Sequence, residues 1–396
     1  MPKPTLASRA KSRASSTSTS SSEPLRIAMV GHAFMGRAHS NAMRQVNRFF
    51  DLPRMVVPQI VVGRDAERAA AAADQFGFLE SAIDLDHVLA RKDIDVVDVA
   101  TPNDSHYAIT MAALEAGKHV LCEKPLAMTL QQTKEMAALA KKKKLRVGLW
   151  HNYRRAPAVA LAQKMILRGD IGKVRQVRAV YLQDWLADAS VPASWRTDKK
   201  LCGSGAHGDL NAHLIDLTRA LTGLEFESVC GMQQTFTTER PNGSGKGKSK
   251  VDVDDAFCFL AKFRGGAIGT YEATRTAPGR KNHNRVEISG EKGSIAWNLE
   301  RMNELEVFLL DEPRDAQGFR TVMCMDSVHP YAANWWPDGH IVGYEHTFVH
   351  HLADFVAALC ANKPFAPGFD DGVAVQAVLE AALQSAKSGA WAKVAR

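Results

Sequence analysis

The chain has 396 residues, of which 45% are hydrophobic and 23% are charged. This length predicts two domains, and this composition excludes a chain that is disordered throughout. The formal net charge is +7, but much of the excess lies in the N-terminal tail and in one later loop, so nucleic-acid binding is not predicted.

Residues 1–24 are predicted to be a disordered tail, because residues 1–22 place scattered basic side chains among serines without any apolar periodicity. An organelle transit peptide has a similar composition and is the alternative, whereas the apolar region of a secretory signal is missing. No run of about 18 apolar residues occurs, so the sequence predicts a soluble protein without a membrane span. The six cysteines are scattered singly, which favours reduced thiols and a cytoplasmic location.

The next segment alternates short apolar strands with helices. A strand over Leu25–Val30 is followed by a turn, Gly31-His32-Ala33-Phe34-Met35-Gly36, and by a helix to about Val46. Further strands are predicted over 56–62, 94–100, 119–122 and 146–150, with helices over 67–76, 105–116 and 130–143. This alternation is typical of a parallel sheet covered on both faces, so residues 25–150 are predicted to form a Rossmann dinucleotide-binding domain, with an α/β fold.

The alternation of short strands and helices ends after Trp150, and longer segments typical of β-strands follow. Strands are predicted over 174–182, 256–263, 267–273 and 285–289, a flexible basic loop over 243–250, and two late helices over 346–361 and 372–387. Residues 151–396 are therefore predicted to form an α+β domain with a large, mostly antiparallel sheet. Such a sheet needs its outer face covered, which predicts a homodimer or homotetramer.

The first turn resembles the G-x-G-x-x-G dinucleotide fingerprint, with Ala33 in the second glycine position. It follows the first strand and opens the first helix, where free N–H groups and the helix dipole attract phosphate. Candidate cofactor contacts are Gly31, Ala33, Phe34, Met35 and Gly36. A glycine turn with no ligand is the alternative.

The end of the second strand reads Gly63-Arg64-Asp65 and lacks the acid that would bind the ribose hydroxyls of NAD. Arg64 offers a positive charge to a 2′-phosphate, so NADP is predicted over NAD. The alternative is that Asp65, one or two positions late, turns inward and selects NAD.

Two further strand ends are polar, and the carboxyl ends of parallel strands are where ligands bind. Thr101, Pro102, Asn103 and His106 follow the third strand, and Glu123 and Lys124 follow the fourth. These residues are candidate cofactor contacts. Lys124 can also accept a proton from a reacting hydroxyl, the alternative being a solvated surface lysine.

A later helix carries Asp209 and His213 four residues apart on one face, beside Leu210, Leu214, Leu217 and Leu221 at helical spacing. A carboxylate and an imidazole one turn apart can bind a hydroxyl and move its proton. A metal site formed by His207, Asp209, His213 and Asp216 is the rival interpretation. No cysteine or further histidine lies nearby in the sequence to complete such a site, so no metal is predicted.

Together, Gly31 to Gly36, Thr101-Pro102-Asn103, Glu123-Lys124-Pro125 and Asp209-x-x-x-His213 resemble the Gfo/Idh/MocA oxidoreductase family over roughly residues 25–390. The resemblance implies that Lys124, Asp209 and His213 form the catalytic trio and that hydride passes from a sugar carbon to a nicotinamide. Ala33 and Asn211 stand where the wider family often has glycine, and Gly63-Arg64 departs from its NAD-dependent members.

Four segments look like the levoglucosan dehydrogenase-like members of this family: 152–155, 181–185, 194–196 and 251–255. They supply polar groups and aromatic platforms for a sugar, and the candidate substrate contacts are Tyr153, Gln183, Asp184, Trp185, Arg196, Asp209 and His213. The predicted reaction is oxidation of a secondary hydroxyl of a cyclic sugar, anhydrosugar or inositol. The alternatives are a nicotinamide-dependent glycoside-cleaving enzyme and a non-catalytic ligand sensor on the same fold.

Overall fold

The computed structural model describes residues 23–243 and 247–395, so most of the predicted tail lies outside the described residues. The first half of the chain forms a parallel sheet. Its strands are β1 (Leu25–Val30), β2 (Val56–Val62), β3 (Glu80–Ala82), β4 (Val96–Val99), β5 (His119–Cys122) and β6 (Val147–Leu149). They lie in the order β3-β2-β1-β4-β5-β6, and every neighbouring pair is parallel. The predicted Rossmann sheet is confirmed.

Helices connect these strands: α1 (Phe34–Phe49), α2 (Ala66–Phe76), α3 (Leu85–Ala90), α4 (Asn103–Glu115) and α5 (Leu130–Lys142). The central strands are apolar because both of their faces are covered, and every residue of β4 is buried. The sequence did not predict β3 or α3. The reason is that β3 is a three-residue edge strand, paired only with β2, whose Glu-Ser-Ala carries no apolar pattern.

The second half of the chain forms a larger sheet together with five further α-helices in the described residues. The helices are α6 (Pro157–Arg168), α7 (Lys199–Cys202), α8 (Ala212–Thr222), α9 (Tyr344–Cys360) and α10 (Phe369–Ser388). The strands are β7 (Val174–Leu182), β8 (Phe226–Gln234), β9 (Glu239–Pro241), β10 (Lys248–Lys250), β11 (Ala256–Phe263), β12 (Ile268–Thr274), β13 (His283–Gly290), β14 (Gly293–Asn298), β15 (Glu304–Leu309), β16 (Arg320–Met323) and β17 (Ala392–Lys393).

Within the described ranges the large sheet has the strand order β16-β15-β14-β13-β7-β12-β11-β8-β17. Its neighbours pair antiparallel except β7 and β12, which are parallel, so the predicted mostly antiparallel sheet is confirmed. The prediction of a flexible loop over 243–250 is wrong for its last three residues. Lys248–Lys250 forms a strand whose backbone pairs with Glu239–Pro241, while residues 244–246 lie outside the described residues.

The two faces of the large sheet differ in chemistry. Along β11, Phe257, Phe259 and Phe263 are buried beneath the helices, while Leu260 on the opposite face is 50% exposed. In the same outer face, Ile268 is exposed and Arg178 pairs with Glu287 across neighbouring strands. This alternation is typical of an antiparallel sheet with one free face.

The last helices return to the first sheet, because α9 packs against α1, and α10 packs against both α5 and β8. The two sheets are thereby held together, and the predicted boundary at residue 150 stays a prediction. No helix in the described part of the chain is both long enough and apolar enough to cross a bilayer.

Candidate active site

A cavity of about 570 Å³ opens where the carboxyl ends of β1, β4 and β5 face β7 and β12 of the large sheet. Its wall contains fourteen of the residues that the sequence singles out. They are Ala33, Phe34, Met35, Thr101, Pro102, Asn103, Glu123, Lys124, Tyr153, Gln183, Trp185, Arg196, Asp209 and His213. Residues that are far apart in the chain thus meet at one place.

The glycine turn forms one end of this cavity. Gly31 has φ of +95°, and a Cβ there would lie 2.7 Å from the Ala100 carbonyl oxygen, so only glycine fits. A Cβ on Gly36 would lie 2.5 Å from the Gly31 carbonyl oxygen, so the first turn of α1 also requires glycine at this position. Ala33 is the N-cap of α1, and no side chain caps the first turn or places an acid in it. The free N–H groups at this helix end therefore suit a cofactor pyrophosphate.

The end of β4 is held in place by His106, which is fully buried at the start of α4. Its ring nitrogens lie 2.8 Å and 2.9 Å from the Pro125 and Thr101 carbonyl oxygens. Burial lowers the pKa of the ring, so the imidazole is neutral and donates to one of these two oxygens. His106 is fully buried and does not line the cavity, and its contact with a cofactor stays a prediction. It joins the two loops that carry Thr101 and Lys124.

Asp209 lies between two cations in the cavity wall. Lys124 Nζ donates to Asp209 Oδ1 at 2.6 Å and to the Asp209 carbonyl oxygen at 3.0 Å, and Arg275 donates to Oδ2 at 2.9 Å. Burial alone would raise the pKa of this carboxyl, but the charges of Lys124 and Arg275 outweigh it and hold the pKa well below its usual range. Asp209 is therefore ionised and fixed in orientation.

The backbone that presents Asp209 differs from the predicted regular helix. His207–Asn211 form a π-helical turn that leads into α8, and the Asp254 carboxylate anchors this turn by accepting the backbone N–H groups of Gly205 and His207. A Cβ on Gly205 would lie 1.8 Å from the Asp254 carbonyl oxygen, so the glycine permits this close approach. Such turns are frequent at functional sites.

His213 follows one turn later and is almost fully buried. Its ring lies 4.6 Å from the Tyr153 ring and 5.6 Å from the His151 ring, centroid to centroid. Burial and the positive charge of Lys124 lower the pKa of His213 well below its usual value. The imidazole is therefore neutral at neutral pH and can accept a proton.

Another part of the cavity wall is formed by polar side chains that hydrogen-bond to one another. The Tyr153 and Tyr181 hydroxyls lie 2.9 Å apart, Tyr181 donates to Asn282 Oδ1 at 2.8 Å, and Gln183 donates to the same oxygen at 2.8 Å. The Trp185 indole N–H donates to Gln183 Oε1 at 2.9 Å. Hydroxyl and amide groups beside an indole ring match the alternating polar and apolar surface of a sugar.

Five of the predicted contacts do not line this cavity: Gly31, Gly36, Arg64, His106 and Asp184. Asp184 accepts from Lys281 Nζ at 2.7 Å and from the Gly279 N–H, so it anchors a loop, and its contact with a substrate stays a prediction. Arg64 is exposed beyond the end of β2, and the neighbouring Asp65 caps α2 by accepting the Arg68 N–H.

The rival metal interpretation is not supported by the side-chain contacts. His207 is buried, stacks on Phe257 at 3.8 Å and bonds to the Leu379 carbonyl oxygen, while Asp216 pairs with Arg154. Within residues 23–243 and 247–395, no group of three or more His, Cys, Asp or Glu side chains could hold a metal ion.

Several cavity residues were not among the predicted contacts, including Asn152, Tyr181, Trp195, Arg275, Asn282 and Tyr344. The first three lie in segments that the family resemblance marks, so that resemblance was a usable signal. Arg275 follows β12 directly and reaches Asp209 only because β12 lies next to β7 in the sheet. No local pattern in the sequence indicates that pairing.

Comparisons with known proteins agree with this geometry. Residues 25–151 match the family described as an oxidoreductase family with an NAD-binding Rossmann fold, and residues 159–296 match the GFO/IDH/MocA C-terminal domain. The chain is 41% identical to levoglucosan dehydrogenase of Pseudarthrobacter phenanthrenivorans over 384 residues, which cover 93% of this chain and 98% of that one.

Two solved structures are similar along nearly the whole chain. An oxidoreductase domain protein from Kribbella flavida has a TM-score of 0.92 at 49% identity, with 94% of this chain and 100% of that one covered. A levoglucosan dehydrogenase in complex with NADH and levoglucosan has a TM-score of 0.91 at 42% identity, with coverage of 94% and 100%.

Proposed function

The chain belongs to the Gfo/Idh/MocA oxidoreductase family, and from this membership we propose that it is a dehydrogenase that uses a nicotinamide cofactor, NAD or NADP. Its substrate is a cyclic sugar, anhydrosugar or inositol, which it oxidises at a secondary hydroxyl. The observation that carries the proposal is the contact of Lys124 with Asp209 in a cavity that also holds the neutral His213.

The residues at the glycine-turn end fit the cofactor. The free N–H groups of α1 would hold the pyrophosphate, and Thr101, Asn103 and Glu123 line the path toward Lys124. When bound there, NAD supplies the acceptor for the hydride that leaves the sugar carbon.

The chain's own residues handle the proton of the reacting hydroxyl. Neutral His213 can accept it directly, while the Lys124 ammonium stabilises the negative charge that develops on the oxygen. For Lys124 to accept the proton itself, as the sequence predicts, it must first release its own proton to a group other than the ionised Asp209, whose Oδ1 lies 2.6 Å away. Asp209 stays ionised in both routes, because Lys124 and Arg275 hold its pKa well below the usual range.

The polar wall orients the ring of the substrate. Tyr153, Gln183 and Asn282 offer hydroxyl and amide groups to the sugar hydroxyls, and Trp185 offers an aromatic face. The relative that crystallised with levoglucosan, a rigid anhydrosugar, makes that compound the first substrate to test.

A substrate screen tests this function. The full-length chain is mixed with levoglucosan, monosaccharides or inositols in the presence of NAD or NADP, and absorbance of the reduced nicotinamide is followed. The expected result is cofactor reduction with at least one cyclic polyol. A cleaved glycoside without net cofactor reduction, or no turnover with any of these compounds, would contradict the proposal.

We further propose that the chain binds NADP more tightly than NAD. The two cofactors differ at the adenosine ribose, where NADP carries a 2′-phosphate. Arg64 is exposed and has no ion pair with the described residues, so its guanidinium is available to a 2′-phosphate. Asp65 is already engaged by the Arg68 N–H, which restrains it from turning toward ribose hydroxyls.

We also propose that the chain forms a homodimer or homotetramer through the outer face of the large sheet. Leu260 and Ile268 are half exposed there, beside the Arg178–Glu287 pair, and a second copy would bury these apolar groups. Light scattering of the wild type and of Leu260→Glu tests this. A monomeric wild type, or an unchanged assembly in the variant, would contradict it.

For the cell compartment we propose the cytoplasm. All six cysteines lie within the described residues and are free thiols, as is usual under reducing conditions. Fractionation of the producing cell, with the chain recovered in the cytoplasmic fraction, is the expected outcome, and recovery in another fraction would contradict it.

A further inference from the structure

A buried histidine lies behind the cavity wall, between two carboxylates. His39 on α1 contacts Asp98 on β4 through Nδ1 at 2.9 Å and Glu123 after β5 through Nε2 at 3.0 Å. His39 and Asp98 are fully buried, whereas Glu123 is 4% exposed and lines the cavity. The network thus joins the interior of the first sheet to the wall beside Lys124.

The hydrogen bonds fix the net charge of this network. Each of the two N···O contacts needs a proton, so two protons are shared among one imidazole and two carboxylates. A neutral imidazole carries one of them, and the second cancels one of the two carboxylate charges. Wherever the second proton lies, the net charge is −1.

The groups that hydrogen-bond to this network orient its charge, and neither of them carries a positive charge. The Trp150 indole N–H donates to Asp98 Oδ1 at 2.8 Å, and its ring stacks on His39 at 4.2 Å. The backbone N–H of Lys124 donates to Glu123 Oε2 at 3.0 Å. In residues 23–243 and 247–395, no lysine or arginine side chain forms an ion pair with Asp98 or Glu123, and the Lys124 ammonium pairs with Asp209 instead.

We infer that this network, with His39 and Asp98 as positioning residues and Glu123 as its outer member, makes the site bind the oxidised nicotinamide more tightly than the reduced one. The inference rests on the proposed function. The ring that receives hydride must meet the substrate carbon beside Lys124, next to Glu123. The oxidised ring is a cation and the reduced ring is neutral, so a negative charge in this partly enclosed wall distinguishes them.

Measured affinities for the two cofactor states test the inference without relying on turnover. Kd values for oxidised and reduced cofactor are determined by calorimetry with the full-length wild type and with Glu123→Gln. The glutamine keeps an oxygen for the Lys124 N–H and offers an amide N–H to the His39 ring, which is then neutral. The remaining negative charge lies on the buried Asp98, so the variant removes it from the cavity wall. We expect Kd for the oxidised form to rise about tenfold relative to Kd for the reduced form.

Two further variants separate charge from structure. Glu115→Gln, which removes an exposed carboxylate paired with Lys143 on the far side of the domain, should leave the Kd ratio within about twofold of the wild type. His39→Gln leaves both carboxylates in place, so the ratio should stay unchanged or shift further toward the oxidised form. Circular dichroism and a cooperative thermal transition establish that each variant is folded.

The outcomes are distinguishable. Equal weakening of both cofactor states by Glu123→Gln would mean that Glu123 acts only structurally, and the inference would fail while the proposed function stands. A shift toward the reduced form in His39→Gln would also overturn the inference. If neither cofactor state binds the wild type, the proposed function itself fails.

Discussion

The buried His39 makes the stability of this protein depend on pH in the alkaline range. Burial alone would lower the pKa of the imidazole, but the charges and hydrogen bonds of Asp98 and Glu123 outweigh it and raise the pKa from 6.5 to about 9. Because the folded-state pKa is raised, its stabilising contribution is fully present below pH 6.5 and is lost as pH rises through about 9.

The size of the effect follows from proton linkage. Between these two pKa values the folded state holds one proton more than the unfolded state, so the free energy of unfolding falls by about 1.4 kcal/mol per pH unit. From about pH 7.5 to about pH 9 the His39 contribution should therefore decrease by roughly 2 kcal/mol.

Urea unfolding at a series of pH values measures this slope. The wild type should lose stability over this window more steeply than His39→Gln, which lacks the titrating ring. His87→Gln, which removes an exposed histidine on α3, should keep the wild-type slope. Parallel curves for the wild type and His39→Gln would refute the reasoning, because the ring would then not hold its extra proton.

Three other changes test the site and its backbone. Lys124→Ala should keep cofactor binding but lower turnover by at least about 100-fold, with exposed Lys164→Ala as the control; near-normal turnover would refute the role. Arg64→Ala should weaken NADP binding by about 1.5–3 kcal/mol and leave NAD binding nearly unchanged; equal losses in two titrations would show that Arg64 does not hold the phosphate. Gly205→Ala should destabilise the fold by at least about 2 kcal/mol, since its Cβ would lie 1.8 Å from a carbonyl oxygen. The matched control is Gly318→Ala, where a Cβ meets nothing within 4 Å, and equal melting temperatures for the two would contradict the clash.

The strands of the first sheet were predictable because burial on both faces leaves a continuous apolar signal. Val56–Val62 and His119–Cys122 have the predicted bounds. The edge strand Glu80–Ala82 was missed because its pairing depends on the backbone of β2 and not on its own side chains.

The sequence predicted which strand ends and helix positions form the site. It did not predict the contacts that join the site residues to segments distant in the chain. Lys124, Asp209 and His213 share one cavity as expected from the sequence. Arg275, His39 and the π-helical turn could not be found from local patterns, since each depends on a contact with a distant segment. His106 shows that a polar residue near a strand end can also hold two loops together, since its ring lies between the Thr101 and Pro125 carbonyl oxygens.

The return of α9 and α10 to the first sheet has a consequence for how the chain is made. Residues 25–151 leave the ribosome long before residues 344–388, whose helices cover α1 and α5. At about 5–20 residues per second, the helix faces that these segments will bury wait for some tens of seconds. During that interval the nascent chain exposes apolar surface, so its yield in the cell should depend on chaperone capacity more than the stability of the finished protein suggests.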